Sequence, residues 1–364
     1  MRILMITPRY PPNIKGGGEI SCQLLVNAIA RYEYIDVISF DGNKTQHTKV
    51  DDILVRRVTP ISKSKMLVGS QAYNMLREEI NNYDLFHTYN MTLMPVVGKL
   101  TKKYHMPSLA TLNGIVFSPS MSSYKFKYFS PKFYRNKIVM KSIKNIKHFT
   151  TICPYYKENW VKDGIEKNRI TVIPNMIDPS FKPVKTNHSD TVRLLFIGNY
   201  AKWRTLDTLL EAYSKLEQQN IELVIVGSGW EDTIKRYEVK NKIIYLGDIP
   251  YNKITEIYSK CDIFIQPCLY PVPVGRVVLE ALQSGLAVIT TGNDCYSPII
   301  RNEREGMLIY PMDAKSLAEK IQMLIDDKKL RVRLAENGKK RVYDVCSPSS
   351  VAKKYLEVYE GVLS

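Results

Sequence analysis

Acid is what this chain most conspicuously lacks over one long stretch. From Leu85 to Lys157 there is no aspartate or glutamate, yet twelve lysines and arginines fall there. Such a segment attracts polyanions: anionic lipid headgroups, phosphorylated lipid carriers or nucleic acid. Also missing is any apolar run near the roughly 18 residues that a membrane-spanning helix requires. Met1–Thr7 is too short for the apolar core of a signal peptide and reads instead as a first buried strand. The six cysteines include no Cys-x-x-Cys pair. That argues against zinc and disulfide frameworks and for reduced thiols in a cytoplasmic protein. Haem signatures, short-period repeats and low-complexity tracts are absent as well.

What is present is size, apolar content and alternation. A chain of 364 residues, 45% of them hydrophobic, holds enough for two cores. Strand patterns at Arg2–Thr7, Ile35–Phe40, Leu85–His87, Ser108–Leu112, Phe149–Cys153 and Thr171–Ile173 alternate with helical spacing, as in Ile20–Arg31 and 131–147. After the turn-rich link from Pro174 to Pro183 the pattern restarts. Strands are expected at Arg193–Ile197, Glu222–Val226 and Lys242–Leu246, with a helix over Thr205–Gln218. The expected class is α/β, with two Rossmann-like domains facing across a cleft.

One block stands out in the second half. Cys261–Pro267 reads as a short apolar strand, Gly275 opens a helix, Gly285 caps it, and Leu286–Thr290 returns as a strand. Inside that helix Glu280 is flanked by Val277, Val278, Leu279, Ala281 and Leu282. A buried glutamate needs something to accept its charge. Either it grips the two hydroxyls of a nucleotide's ribose, or it pairs with a structural arginine and the helix dipole.

The run Pro267-Cys-Leu-Tyr-Pro-Val272-Pro-Val-Gly275-Arg-Val-Val-Leu-Glu280-Ala-Leu-Gln-Ser-Gly285 resembles the donor-site signature of retaining glycosyltransferase family 4. The link Ile173-Pro-Asn175 to Pro183, the block Gly198 to Ala212 and the glycine-ended strands at Gly227 and Gly247 are similar to that family too. The resemblance implies the GT-B architecture. Its domains would be 1–178 on the acceptor side and 179–345 for nucleotide-sugar binding, with 346–364 as a final helix crossing back to the first domain. It also implies a metal-independent transferase without a cofactor, whose co-substrate is a nucleotide diphosphate sugar. Consistently, there is no Asp-x-Asp motif to hold a metal-bound pyrophosphate.

The resemblance assigns candidate residues one by one. Gly16, Gly17 and Gly18 match the donor loop and can bring bare N–H groups to a phosphate; the other reading is a flexible surface turn. Arg204 aligns with the phosphate-binding lysine, and Lys202 stands in for an arginine replaced here by Asn199; surface charge is the alternative. Val272, Val274 and Gly275 line the donor turn, with Val272 in place of the first of two family glutamates. Asn113 replaces a histidine and binds sugar hydroxyls without shuttling protons. His87 falls where the family places a histidine, so it reaches the acceptor side or is an ordinary strand-end residue. Arg276 reads as structural.

In the acid-free segment, aromatics interleave with Lys125, Lys127, Lys132 and Arg135. That mixture favours a membrane interface over a solvated basic face. The resulting expectation is a cytoplasmic transferase, peripheral at the inner face of the membrane, acting on a lipid-linked or polysaccharide acceptor. A relative that binds nucleotide or glycan without transfer is the alternative, since Val272 and Asn113 remove two familiar side chains. Nucleic-acid binding is disfavoured, because no recognition signature accompanies the charge. Acceptor-choosing loops are expected within 41–80 and 113–135.

Overall fold

The structure, a computed structural model, describes all residues except 15, 63–64, 90, 114–139, 184–190, 218–219, 270–274 and 293–297, and gives only the backbone at 65–67 and 252. It divides into two compact units, Met1–Met176 with Pro348–Ser364, and Ile177–Ser347. The division falls two residues before the Asp178 expected from the sequence.

In the first unit, β1 (Arg2–Thr7), β2 (Tyr34–Ser39), β3 (Gln46–Val50), β4 (Ile53–Arg57), β5 (Leu85–Thr88), β6 (Ser108–Leu112), β7 (His148–Thr151) and β8 (Ile170–Val172) form one sheet in the order β3-β4-β2-β1-β5-β6-β7-β8. All neighbours are parallel except the β3–β4 hairpin. Asp51 and Asp52 make that hairpin's turn at φ 51° and 66°, a conformation that aspartate tolerates better than most residues. Helices α1 (Gly17–Ile29), α2 (Lys65–Glu78), α3 (Met94–Tyr104) and α4 (Pro154–Lys162) connect the strands. The stretch 41–80, within which acceptor-choosing loops are expected, is mostly a hairpin and a helix. Its polar alternation exposes one face of β3 and hides the strand signal. Of the helix expected over 131–147, the part through 139 lies outside the described residues.

Among the described residues the second unit has six parallel strands, β9 (Val192–Ile197), β10 (Ile221–Val226), β11 (Lys242–Tyr245), β12 (Ile263–Gln266), β13 (Ala287–Thr291) and β14 (Met307–Ile309). Their order is β11-β10-β9-β12-β13-β14, so chain direction across the sheet reverses between β9 and β12. Strands buried on both faces, such as β12 and β13, read as continuous apolar runs, which is why they are legible in the sequence, whereas the three-residue β14 is not among the expected strands. Around the sheet lie α5 (Leu206–Ser214), α6 (Glu231–Lys235), α7 (Tyr251–Ser259), α8 (Arg276–Gln283), α9 (Ala314–Asp326) and α10 (Lys328–Cys346). Helix α5 stops at Ser214, short of the expected Gln218.

The last helix, α11 (Pro348–Leu363), belongs to the first unit. Its Val351, Ala352, Tyr355 and Tyr359 share one core with Leu25, Val26 and Ile29 of α1. Among the described residues no helix is long and apolar enough to cross a membrane.

Candidate functional site

In an open parallel sheet, ligands bind beyond the carboxyl ends of the strands where the strand order reverses. Here that place is the end of β9 and the end of β12. Chain leaving β9 passes through Gly198 and Asn199 to Arg204, whose backbone pairs with Cys268 just past β12. Thr205 N–H donates to the Pro267 carbonyl at 3.2 Å, and Leu269 N–H to the Trp203 carbonyl at 2.9 Å. These bonds sew the two strand ends together.

Arg204 lies flat over Trp203, 4.2 Å from the ring centroid, and donates Nη1–H to the Asn199 carbonyl at 2.7 Å. Its Nε sits 2.6 Å from where a Cβ on Gly198 would project, and Gly198 has φ 154°. Only glycine at 198 therefore lets the guanidinium pack there. Among the described residues no carboxylate pairs with Arg204, and burial lowers its pKa. Nearby, Arg204 Nε, Thr205 Oγ1 and both amide atoms of Gln266 are buried without a hydrogen-bond partner among the described residues. Gln266 itself is only 3% exposed. Native proteins leave few such groups unpaired, so the cluster makes this switch point the candidate place for a polar ligand. Lys202, on the same loop, is exposed.

Helix α8 opens from Gly275 at the same sheet edge and buries Val278 through Gln283. It ends in a Schellman turn: Leu286 N–H reaches the Ala281 carbonyl at 3.1 Å and Gly285, at φ 71°, reaches that of Leu282 at 3.0 Å. Glu280 is 5% exposed. The protein itself supplies donors to it, Arg276 among them, so the pairing with a structural arginine, one of the two readings left open, is present. Tyr251 Oη donates to Oε1 at 3.0 Å, and Arg276 Nη2 lies 3.5 Å from the same oxygen. Tyr258 Oη is 3.1 Å from Oε2 but also 3.0 Å from the Val277 carbonyl, so its single proton serves one of them at a time. Burial raises the Glu280 pKa, partly offset by Arg276 and the two tyrosines. A carboxylate offers about four acceptor positions, so Glu280 keeps unused acceptor capacity. Arg276 also lies 3.5 Å from Asp178 and accounts for the structural reading given to it. Sequence gave no sign of the tyrosines, which look like ordinary positions on an amphipathic helix. Val272 and Val274 lie outside the described residues, as do Lys125, Lys127, Lys132 and Arg135.

In the first unit, Gly16 caps α1 and its N–H donates to Glu19 Oε2 at 3.1 Å. The N–H groups of Gly17 and Gly18, in the first turn of α1, have no intrahelical acceptor, and both residues are exposed. No atom lies within 4 Å of the position a Cβ on Gly18 would take, which leaves the backbone open to close approach. Asn113 directly follows β6 and hydrogen-bonds the buried Tyr89 hydroxyl, while its Oδ1 is buried without a partner among the described residues.

His87 is not available for chemistry at the acceptor side. It is 0% exposed, with Nδ1 2.7 Å from Tyr359 Oη and Nε2 2.7 Å from Thr111 Oγ1. Thr111 in turn meets Thr150 Oγ1 at 2.8 Å and Tyr355 Oη at 3.3 Å. The histidine therefore belongs to a polar network that fastens α11 to β5, β6 and β7, and desolvation pushes its pKa down to about 3. Sequence position put it at the end of a strand; the returning helix covers that end. Among the described residues no three His, Cys, Asp or Glu side chains gather as a metal site.

Two family models match in tandem, Glycosyltransferase Family 4 over residues 15–181 and Glycosyl transferases group 1 over residues 178–341. An uncharacterized glycosyltransferase of Methanocaldococcus jannaschii is 26% identical, with 99% of this chain and 98% of that protein covered. Phosphatidyl-myo-inositol mannosyltransferase of Mycolicibacterium smegmatis is 23% identical, with 100% of this chain and 94% of that protein covered. Among solved structures, Anabaena HepE in complex with UDP-glucose superposes with a TM-score of 0.77 at 16% identity, covering 99% of this chain and 100% of that one. Sucrose-phosphate synthase from Thermosynechococcus elongatus gives 0.80 at 18% identity, covering 100% and 99%. The fold is that of the GT-B glycosyltransferases. Within that class the chain belongs to glycosyltransferase family 4.

Proposed function

We propose that this glycosyltransferase moves a sugar from a nucleotide diphosphate sugar to a lipid-linked or growing polysaccharide acceptor, with retention and without a metal or cofactor. The observation that carries the donor assignment is Arg204, a half-buried guanidinium with no carboxylate partner among the described residues, set at the switch point beside the unpaired polar atoms of Thr205 and Gln266. A pyrophosphate supplies the missing anion. The UDP-glucose held by the HepE neighbour and the phosphatidyl-myo-inositol named for the mannosyltransferase relative support donor and acceptor class respectively.

In this reading Arg204 and Lys202 neutralise the pyrophosphate, and the N–H groups of Gly17 and Gly18 add fixed donors. Glu280 takes ribose hydroxyls with its spare acceptor capacity, and Asn113 takes a sugar hydroxyl with its free Oδ1. Val272, Val274 and Gly275 bound the sugar. Since His87 is locked in the core and Val272 carries no carboxylate, we assign the proton to the leaving group. The acceptor O–H attacks the anomeric carbon on the face that the phosphate leaves. As the sugar–oxygen bond to phosphate breaks, a phosphate oxygen takes the acceptor's proton and the nucleoside diphosphate departs. Lys125, Lys127, Lys132 and Arg135, outside the described residues, are assigned to an anionic membrane surface at the inner face.

A thermal-shift panel of UDP, GDP and their sugars tests the donor assignment. At least one nucleotide should raise Tm, and Arg204→Ala and Glu280→Ala should each weaken that shift at least tenfold in nucleotide concentration. A Tm unmoved by every nucleotide sinks the assignment. Binding with no hydrolysis or transfer across a broad acceptor panel leaves a nucleotide-binding relative in its place.

A further inference from the structure

The chain just before the glycine loop is gripped by a buried ion pair that comes from other strands. Arg57 ends β4 and Asp41 follows β2; both side chains are 6% exposed. The Asp41 carboxylate accepts from Ser39 Oγ at 2.7 Å, Tyr10 N–H at 3.0 Å, Asn13 Nδ2 at 3.2 Å and Arg57 Nη1 at 3.2 Å. Arg57 also donates Nη1–H to the Tyr10 carbonyl at 3.1 Å and Nη2–H to the Pro11 carbonyl. Asn13 adds a bond to the Asp41 carbonyl at 3.2 Å. Next to the pair, a Cβ on Gly42 would fall 2.8 Å from the Lys44 carbonyl and 3.2 Å from Arg57 Cβ, so the backbone closes tightly over it. Farther along, Arg9 lies 3.7 Å from Glu19, the residue that takes the Gly16 N–H.

A buried ion pair is weak evidence of stabilisation, because an apolar pair of similar volume often does as well. What this pair supplies is direction. Asp41 accepts from Tyr10 and Asn13, and Arg57 donates to the carbonyls of Tyr10 and Pro11, so both residues of the pair hold Tyr10–Asn13, the irregular chain that leads to Gly16–Gly18. Fixed N–H donors lower a barrier only when they are placed before the charge develops.

We propose that Arg57 and Asp41 are positioning residues, which hold Tyr10–Asn13 so that the Gly17 and Gly18 N–H groups stand where a donor phosphate needs them. This rests on the donor reading above. Two variants separate placement from folding: Arg57→Lys, which keeps the charge but cannot fork to two carbonyls, and Asn13→Ala, at an exposed position. Calorimetric titration with UDP and with uridine, or with GDP and guanosine if the wild type prefers them, reads the effect. Each variant should weaken the diphosphate about tenfold and leave the nucleoside unchanged, and hydrogen exchange at residues 10–18 should quicken while β2 and β5 keep their protection. Unchanged diphosphate affinity, an equal loss for the nucleoside, or unchanged exchange at 10–18 overturns the proposal. A wild type that binds no nucleotide refutes the donor reading itself, and is seen before any variant is made.

Discussion

His87, desolvated and bonded at both nitrogens, gives the protein a pH dependence whose sign follows from linkage. Its folded pKa is about 3, against an ordinary 6.5. Between those values the unfolded chain binds the extra proton, so stability is present above 6.5 and drains away as pH falls toward 3. At pH 5 the loss is about 2 kcal/mol. His87→Gln, which does not titrate there, should flatten the slope of unfolding free energy between pH 7 and pH 5, as measured by urea denaturation. An unaltered slope would mean the ring is protonated in the folded state. Side-chain partners are where residue-level reading ends. The burial of Glu280 follows from its apolar neighbours in sequence. That Tyr251, Tyr258 and Arg276 meet it does not, because two of them come from a helix earlier in the chain.

Helix α8 carries Glu280 and is held from two sides. Gln283 Nε2 donates to the Asp178 carbonyl at 2.9 Å and the Phe181 carbonyl at 2.7 Å, which fixes the linking segment to this helix. On another side α10 comes close at Gly338, where an added Cβ would meet Leu282 Cδ2 at 2.7 Å and the Glu305 carbonyl at 2.8 Å. Alanine is the better helix former by about 1 kcal/mol, but overpacking against backbone costs about 1–3 kcal/mol. Gly338→Ala should therefore destabilise, which chemical denaturation would show as a lower midpoint at unchanged m-value. Stabilisation would refute the close packing. Elements with a strict apolar run, such as β9, β10, β12 and α8, are legible from sequence. The β3–β4 hairpin is not, since His47, Lys49 and Arg56 blur its alternation and its Asp-Asp turn lacks glycine.

At the scale of the whole chain the net charge of +16 is the property that most affects partners. Attraction of that kind is screened by salt within about 10 Å at 0.1 M. Vesicles containing anionic lipid should pellet the protein at low salt and release it at high salt. Replacing Lys125, Lys127, Lys132 and Arg135 together by glutamine should abolish most of the pelleting. Equal pelleting by that variant would move the membrane contact elsewhere on the surface.

Period and composition alone determined that this is an α/β protein with two parallel-sheet units, a buried acid on one helix and a glycine-rich loop ahead of another. Those features depend on neighbours a few residues apart. Tertiary structure alone decided that His87 is sealed by a helix from the far end of the chain, that Glu280 is met by tyrosines, that Arg204 has no acid to pair with among the described residues, and that Arg57 and Asp41 converge on the loop after β1. Each depends on groups far apart in sequence, and a local pattern contains no record of which distant side chain fills the space beside it.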